Sequence, residues 1–83
     1  MCQPPQNVPL DSQSTPLWNK FKAEACKKLG VADLHAETYN FSIGGNNAQY
    51  YNFHGHHNGK AWFAQVIQYL DGKEECSMAE YSR

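Results

Sequence analysis

Residues 48–70, AQYYNFHGHHNGKAWFAQVIQYL, contain the two strands and the turn that decide the fold. Asn58-Gly59 is the preferred two-residue hairpin turn, because both turn positions need a positive φ that Asn and Gly tolerate. Before the turn, Tyr51 and Phe53 alternate with polar residues, as in a half-buried strand. After it, segment 60–70 is apolar on both faces, which predicts a central position in a sheet.

The turn also predicts which residues of the two strands face each other, because a two-residue turn at 58–59 sets Lys60 opposite His57. Counting outward gives the pairs Phe53 with Ala64, Tyr51 with Val66, His54 with Phe63, and Tyr50 with Ile67. The first two pairs are expected on the face that carries the core, together with Trp62 and Leu70.

The remaining elements follow from hydrophobic spacing and turn residues. Ser14 and Thr15 are candidate N-caps for a helix over 15–29, whose stripe of apolar residues is Trp18, Phe21, Ala25 and Leu29. A strand at 39–43 precedes the hairpin, and Asp71-Gly72 predicts a second two-residue turn into a last strand, in which Cys76 faces Ile67. The predicted fold is α+β, with one helix on a four-stranded antiparallel meander.

The segment before the helix differs in composition from the rest of the chain. Pro4, Pro5 and Pro9 lie among Gln, Asn and Ser, and proline lacks the backbone donor that regular structure needs. We therefore divide the chain into a flexible arm at 1–14 and a single domain at 15–83.

Composition excludes several classes of function. The chain has 83 residues, a net charge of -1 and no apolar run as long as a membrane helix, so neither nucleic acid nor a membrane is an expected partner. Three cysteines cannot pair completely within one chain, and no secretory signal follows Met1. These features favour a cytoplasmic protein with free thiols.

Two histidines at the end of the first hairpin strand raise the possibility of metal binding. His54 and His56 are expected on one face, and imidazole is a good ligand for zinc, copper and nickel. A closed structural site needs four ligands, so the alternative is a polar hairpin end whose histidines meet solvent.

The sequence presents no spacing typical of a catalytic site, and we expect a non-enzyme without a cofactor. The face turned away from the helix is not fully polar, since it carries Tyr50, Phe63 and Ile67, with Tyr69 and Met78. Either a partner covers this face, as a second copy in a homodimer would, or the register is shifted by one residue.

The order of these elements resembles the cystatin fold, which is also that of monellin, and the layout is similar to that of the small intracellular cystatins called stefins. The resemblance spans residues 1–72. It rests on Met1-Cys2, the helix 15–29, the segment FSIGG at 41–45, the segment YYNF at 50–53, and the segment WFAQVIQYL at 62–70.

Inhibitory cystatins insert an N-terminal arm and two hairpin loops as a wedge into papain-like cysteine proteases. The resemblance implies that Gly44, Gly45 and Asn46 form the first loop here, and that Asp71 and Gly72 belong to the second. The chain departs from the family pattern in two places. The family's arm carries a glycine where this one has Pro4-Pro5, and the first loop, read as Q-x-V-x-G in the family, lacks the Gln and the Val.

We therefore expect a small protein-binding module that occludes a papain-like protease through these loops. Two alternatives remain open. One is an inhibitor or adaptor of another complex, for example one encoded by a phage, which uses the aromatic face of Tyr50, Phe63 and Ile67. The other is metal binding by His54 and His56.

Overall fold

A computed structural model describes residues 6–82 and shows an α+β fold in which one helix packs against an antiparallel sheet. The elements in chain order are β1 Val8–Pro9, α1 Ser14–Leu29, β2 Ala36–Ile43, β3 Gln49–His57, β4 Lys60–Gln68 and β5 Glu74–Tyr81. The strands form a meander in the order β1-β2-β3-β4-β5. The predicted fold class is confirmed.

The sheet has five strands rather than the predicted four. The additional strand is β1, in which Val8 pairs with Tyr39 and Pro9 with Thr38. A proline is tolerated here because β1 is an edge strand. Its missing N–H does not remove a hydrogen bond between central strands. Residues 8–9 of the predicted arm thus belong to the sheet, whereas Pro4, Pro5 and Cys2 lie outside the described residues. The boundary of the flexible arm stays a prediction.

The core lies between α1 and one face of the sheet. Trp18 of the helix stacks on Trp62, with ring centroids 5.4 Å apart. Its ring centroid lies 5.1 Å from that of Phe53. The predicted helix stripe faces this core, with Ala25 fully buried and Phe21 and Leu29 partly buried. Within residues 6–82, no helix is long and apolar enough to span a membrane.

The helix is capped by Asp11, not by the predicted Ser14 or Thr15. The Asp11 side chain accepts hydrogen bonds from the N–H groups of Gln13 and Ser14, and its carbonyl accepts the first helical bond, from Thr15. Ser14 returns the interaction, because its hydroxyl oxygen accepts the Asp11 N–H at 2.9 Å. This reciprocal arrangement satisfies helix donors that would otherwise lack partners.

The first hairpin forms as predicted. Asn58 and Gly59 have φ angles of 52° and 80°, and His57 faces Lys60. The predicted register holds along both strands, since the pairs are Tyr50 with Ile67, Tyr51 with Val66, Phe53 with Ala64, and His54 with Phe63.

The second hairpin differs from the prediction in the length of its loop. Tyr69 and Lys73 close a three-residue loop of Leu70, Asp71 and Gly72, and only Gly72 has a positive φ, of 91°. The additional loop residue shifts the register, so Cys76 faces Val66 rather than Ile67. Cys76 is therefore buried on the helix side of the sheet.

Candidate functional site

Two loops of the chain lie at one end of the sheet, which we call the loop end. It comprises the β2–β3 turn at 44–47 and the β4–β5 loop at 70–72. The two loops lie at the same end because β2 and β4 run toward it, and β3 and β5 run away from it. Residues 6–8 do not reach it, because Val8 pairs with Tyr39 in the middle of β2.

The two loops have the same backbone hydrogen bonds. In the first, Gly44 N–H donates to Ala48 O and Asn47 N–H donates to Gly44 O, both at 2.9 Å. In the second, Tyr69 N–H donates to Lys73 O at 2.8 Å and Gly72 N–H to Tyr69 O at 3.0 Å. Each loop thus has three residues and ends in a residue of positive φ, a common hairpin type.

The middle residue of each loop stabilises it in the same way. Asn46 Oδ1 accepts the N–H of Ala48 at 3.2 Å, and Asp71 Oδ1 accepts the N–H of Lys73 at 2.9 Å. These predicted partner-binding residues therefore have a local structural role. Each bond stabilises its own loop, and the two loops have the same narrow shape.

Large apolar side chains are exposed at the loop end. Among the described residues, the exposed large hydrophobics are Val8 at 42%, Phe41 at 39%, Ile43 at 62% and Leu70 at 79%. Ile43 ends β2 next to the first loop, and Leu70, which the sequence placed on the core face, is instead the first residue of the second loop. Val8 and Phe41 lie further along the sheet, away from the loops. Exposed large apolar side chains are typical of a surface that contacts another molecule.

A groove of about 270 Å³ separates the two loops. Its walls include Asn47 and Gln49 from the β2–β3 hairpin, with Gln68, Leu70 and Glu74 from the β4–β5 hairpin. This groove combines side-chain amides and a carboxylate with the apolar Leu70, so it offers both hydrogen bonds and apolar contact to a partner chain.

The two glycines of the first loop have different environments. A Cβ on Gly44 would lie 2.5 Å from a ring carbon of Tyr50, so this glycine is needed for packing. A Cβ on Gly45 would meet nothing within 4 Å. Of these two glycines, Gly45 therefore presents free backbone at the loop end.

The open face of the sheet, meaning the face without the helix, is less exposed than its aromatic content suggests. Ile67 is only 6% exposed, and Tyr50 and Phe63 are half-buried by their neighbours. Tyr69 donates a hydrogen bond to Glu75 across the second hairpin. The three predicted contact residues of this face thus offer little continuous apolar surface.

A row of hydrogen-bonded polar side chains crosses the middle of the open face, and the sequence reasoning missed it. We call it the amide row; it consists of Asn7, Asn40, Asn52, Gln65 and Ser77. Asn40, Asn52 and Gln65 sit directly opposite one another on β2, β3 and β4. The signal was present in the register, since pairing Phe53 with Ala64 already sets Asn52 opposite Gln65.

The two predicted metal ligands have separate partners. His54 Nε2 lies 3.0 Å from Asn40 Nδ2, at one side of the amide row. His56 Nδ1 lies 3.2 Å from a carboxylate oxygen of Glu37. In residues 6–82, no group of three or more His, Cys, Asp or Glu is arranged to hold a metal ion.

The described thiols are buried and protonated. Burial raises the pKa of Cys26 and also that of Cys76, whose side chain is 4% exposed. A raised pKa disfavours the thiolate, the reactive form of cysteine.

Comparison with protein-family models, curated proteins and solved structures finds no match to this chain.

Proposed function

We propose that this protein is a non-enzymatic binding module that occludes a site on another protein with its loop end, and that the partner is a papain-like cysteine protease. The observation that carries the proposal is the exposure of large apolar residues at the end where both narrow loops project. Ile43 is the last residue of β2, next to the first loop, and Leu70 lies in the second loop.

The shape of the loop end supports occlusion of a cleft. Neighbouring strands are about 4.8 Å apart, so the end of the sheet from β2 to β5 is about 14 Å long, while the sheet is only one strand layer thick. A long, thin ridge fits a cleft better than it fits a flat surface. The exposed backbone at Gly45 allows close approach, because no side chain projects there.

The protease class comes from the resemblance to cystatins, in which an arm and two hairpin loops form such a wedge. The first loop lacks the Gln and Val of the family pattern, so its contacts would be made by Ile43 and by the backbone of Gly45. Leu70, exposed at the second loop, would supply the other apolar contact.

Titration of papain with this protein tests the proposal. We expect the wild-type chain to reduce papain activity at micromolar concentration. Gly45→Trp adds bulk at an open position and should weaken inhibition by at least about tenfold, or about 1.4 kcal/mol of binding free energy. Gly45→Ala, which makes the same backbone change without the bulk, is the matched control and should inhibit as the wild type does.

Leu70→Ser provides a second test at the other loop. It removes an exposed apolar side chain without affecting the core, so inhibition should weaken while the free energy of unfolding stays within about 0.5 kcal/mol of wild type. A folded wild-type protein that leaves papain fully active at micromolar concentration would overturn the protease assignment.

A further inference from the structure

The amide row has a single direction of hydrogen-bond donation. The Ser77 hydroxyl donates to Gln65 Oε1 at 2.8 Å, and Gln65 Nε2 donates to Asn52 Oδ1 at 3.2 Å. Asn52 Nδ2 then donates to Asn40 Oδ1 at 3.1 Å. The amides of Gln65 and Asn52 each accept a hydrogen bond from the β5 side and donate one toward β2. The orientation of each amide is therefore determined by its neighbours.

The row ends at Asn40, whose amide nitrogen has two acceptors. One proton points to Asn7 Oδ1 at 2.8 Å, and the other points to His54 Nε2 at 3.0 Å. In this direction His54 accepts at Nε2, so its ring is neutral and carries its proton on Nδ1. A protonated His54 has N–H donors at both ring nitrogens and cannot accept from Asn40.

The same residues can form the row in the opposite direction without losing a bond. If the four amides of Asn7, Asn40, Asn52 and Gln65 turn over, Asn40 Oδ1 accepts from both His54 and Asn7, and donation then runs from Asn40 through Asn52 to Gln65. Gln65 Nε2 donates to the Ser77 oxygen, which frees the hydroxyl proton. That proton has an acceptor in place, because the Gln65 carbonyl oxygen lies 3.4 Å from Ser77 Oγ.

We propose that protonation of His54 reverses the direction of the whole amide row, so that the open face carries a proton-driven switch between two hydrogen-bonded states. The proton comes from solvent and binds Nε2. The switch is bistable because the same side chains are hydrogen-bonded in both directions of the row. The protonation state of His54 determines which direction is favoured.

Few charges face His54 from the surrounding strands. On β2 its neighbours are Thr38 and Asn40, and on β4 its neighbour is the ring of Phe63, whose centroid is 6.4 Å away. Glu80 lies one strand further, opposite Phe63. On β3 itself, His56 is two residues along and is paired with Glu37.

Partial burial lowers the pKa of His54 below its ordinary range. The neutral state and the observed direction of the row therefore hold at neutral pH, and the reversed direction is expected at acid pH. The reversal also turns Asn7, next to the edge strand β1, because Asn7 accepts from Asn40 in one state and donates to it in the other.

NMR of the side-chain amide groups and imidazole nitrogens during an acid titration tests the switch on the isolated protein. In the wild type, the amide signals of Asn40, Asn52 and Gln65 should all move with one midpoint, equal to that of His54. In His54→Gln, which cannot protonate, these shifts should be lost. His56→Gln is the matched control and should keep them.

Asn52→Leu separates a switch from a simple field effect of the new charge. This variant interrupts the row, so the Asn40 signal should still follow His54 while the Gln65 signal should not. The proposal is overturned by a Gln65 response that persists in Asn52→Leu, by a wild-type Gln65 that ignores His54, or by a His54 that stays neutral until the protein unfolds. The readout uses no partner protein, so failure of the switch and failure of protease inhibition are independent results.

Discussion

Four donors converge on the carboxylate of Asp11 at the start of the helix. They are the N–H groups of Gln13 and Ser14, the Ser14 hydroxyl and the Tyr39 hydroxyl. These bonds, led by the backbone N–H of Ser14 and the hydroxyl of Tyr39, lower the pKa of Asp11 from 3.8 to about 2. A carboxyl group whose pKa is lower in the folded state stabilises the fold at pH values above its unfolded pKa.

The resulting prediction concerns acid stability. The contribution of the Asp11 charge should be complete above about pH 4, decline between about pH 4 and pH 2, and be absent below that range. Asp11→Asn should therefore lower the free energy of unfolding at pH 7 and approach the wild type below pH 2, as measured by urea unfolding at a series of pH values. Glu24→Gln, at an exposed position of the same helix, is the control. A difference in free energy of unfolding between wild type and Asp11→Asn that does not change with pH would contradict the prediction.

Gly55 is a residue whose lack of a side chain is required by its packing. A Cβ there would lie 2.5 Å from the carbonyl oxygen of His35 and 2.8 Å from the Trp62 ring. Gly55→Ala should lower the free energy of unfolding by about 2 kcal/mol or more, because the backbone and a fully buried indole must both move. Gly45→Ala, with open space around its Cβ, is the matched control and should change it by less than about 0.5 kcal/mol.

The elements show why the sequence predicted most of the register and missed part of β5. The Asn58-Gly59 turn and the alternation around Phe53 predict one register for β3 and β4, and the structure has that register. The loop at 70–72 was missed because Asp71-Gly72 fits both a two-residue turn and the end of a three-residue loop. Side-chain hydrogen bonds across strands, which form the amide row, have no periodic signal of their own.

Two one-residue deviations in β5 cancel each other. The longer loop shifts Cys76 to Val66, and a bulge at Ser77 then restores the pair of Met78 with Gln65 that a two-residue turn predicts. Ala79 consequently faces Ala64 beneath the helix, where a larger side chain would be overpacked. The bulge therefore determines which residue of β5 lies under α1.

Deleting single residues of β5 tests this role of the bulge. Without Ser77, Cys76 and Met78 keep their partners and faces, so the free energy of unfolding should fall by no more than about 1 kcal/mol. Without Ala79, Glu80 takes its place beneath the helix, or Met78 does if the bulge is lost, and the loss should be about 2 kcal/mol or more. Urea unfolding measures both losses, and equal losses would show that the bulge does not set the register.

At the scale of the whole molecule, one core holds the helix and four long strands, and β1 adds only two paired residues at an edge. The composition predicted a single small domain, but β1 was not predicted because its segment is rich in proline. The Asp11 cap was missed for a different reason. Ser14, three residues later, fits the N-cap pattern and was chosen instead. The segment before the helix thus combines a weakly attached strand with a strongly bonded cap.

Truncation separates these two parts. Removing residues 1–9 deletes β1 but keeps Asp11, so unfolding should stay cooperative and Tm should fall by roughly 4–8 °C for each kcal/mol lost. Removing residues 1–12 also deletes the cap and should cost about 1 kcal/mol more. Because Trp18 and Trp62 stack in the core, their fluorescence reports the transition, and far-UV circular dichroism should give the same midpoint. A 1–9 truncation that unfolds the chain would instead make β1 an essential part of the sheet, and the predicted arm would end before residue 8.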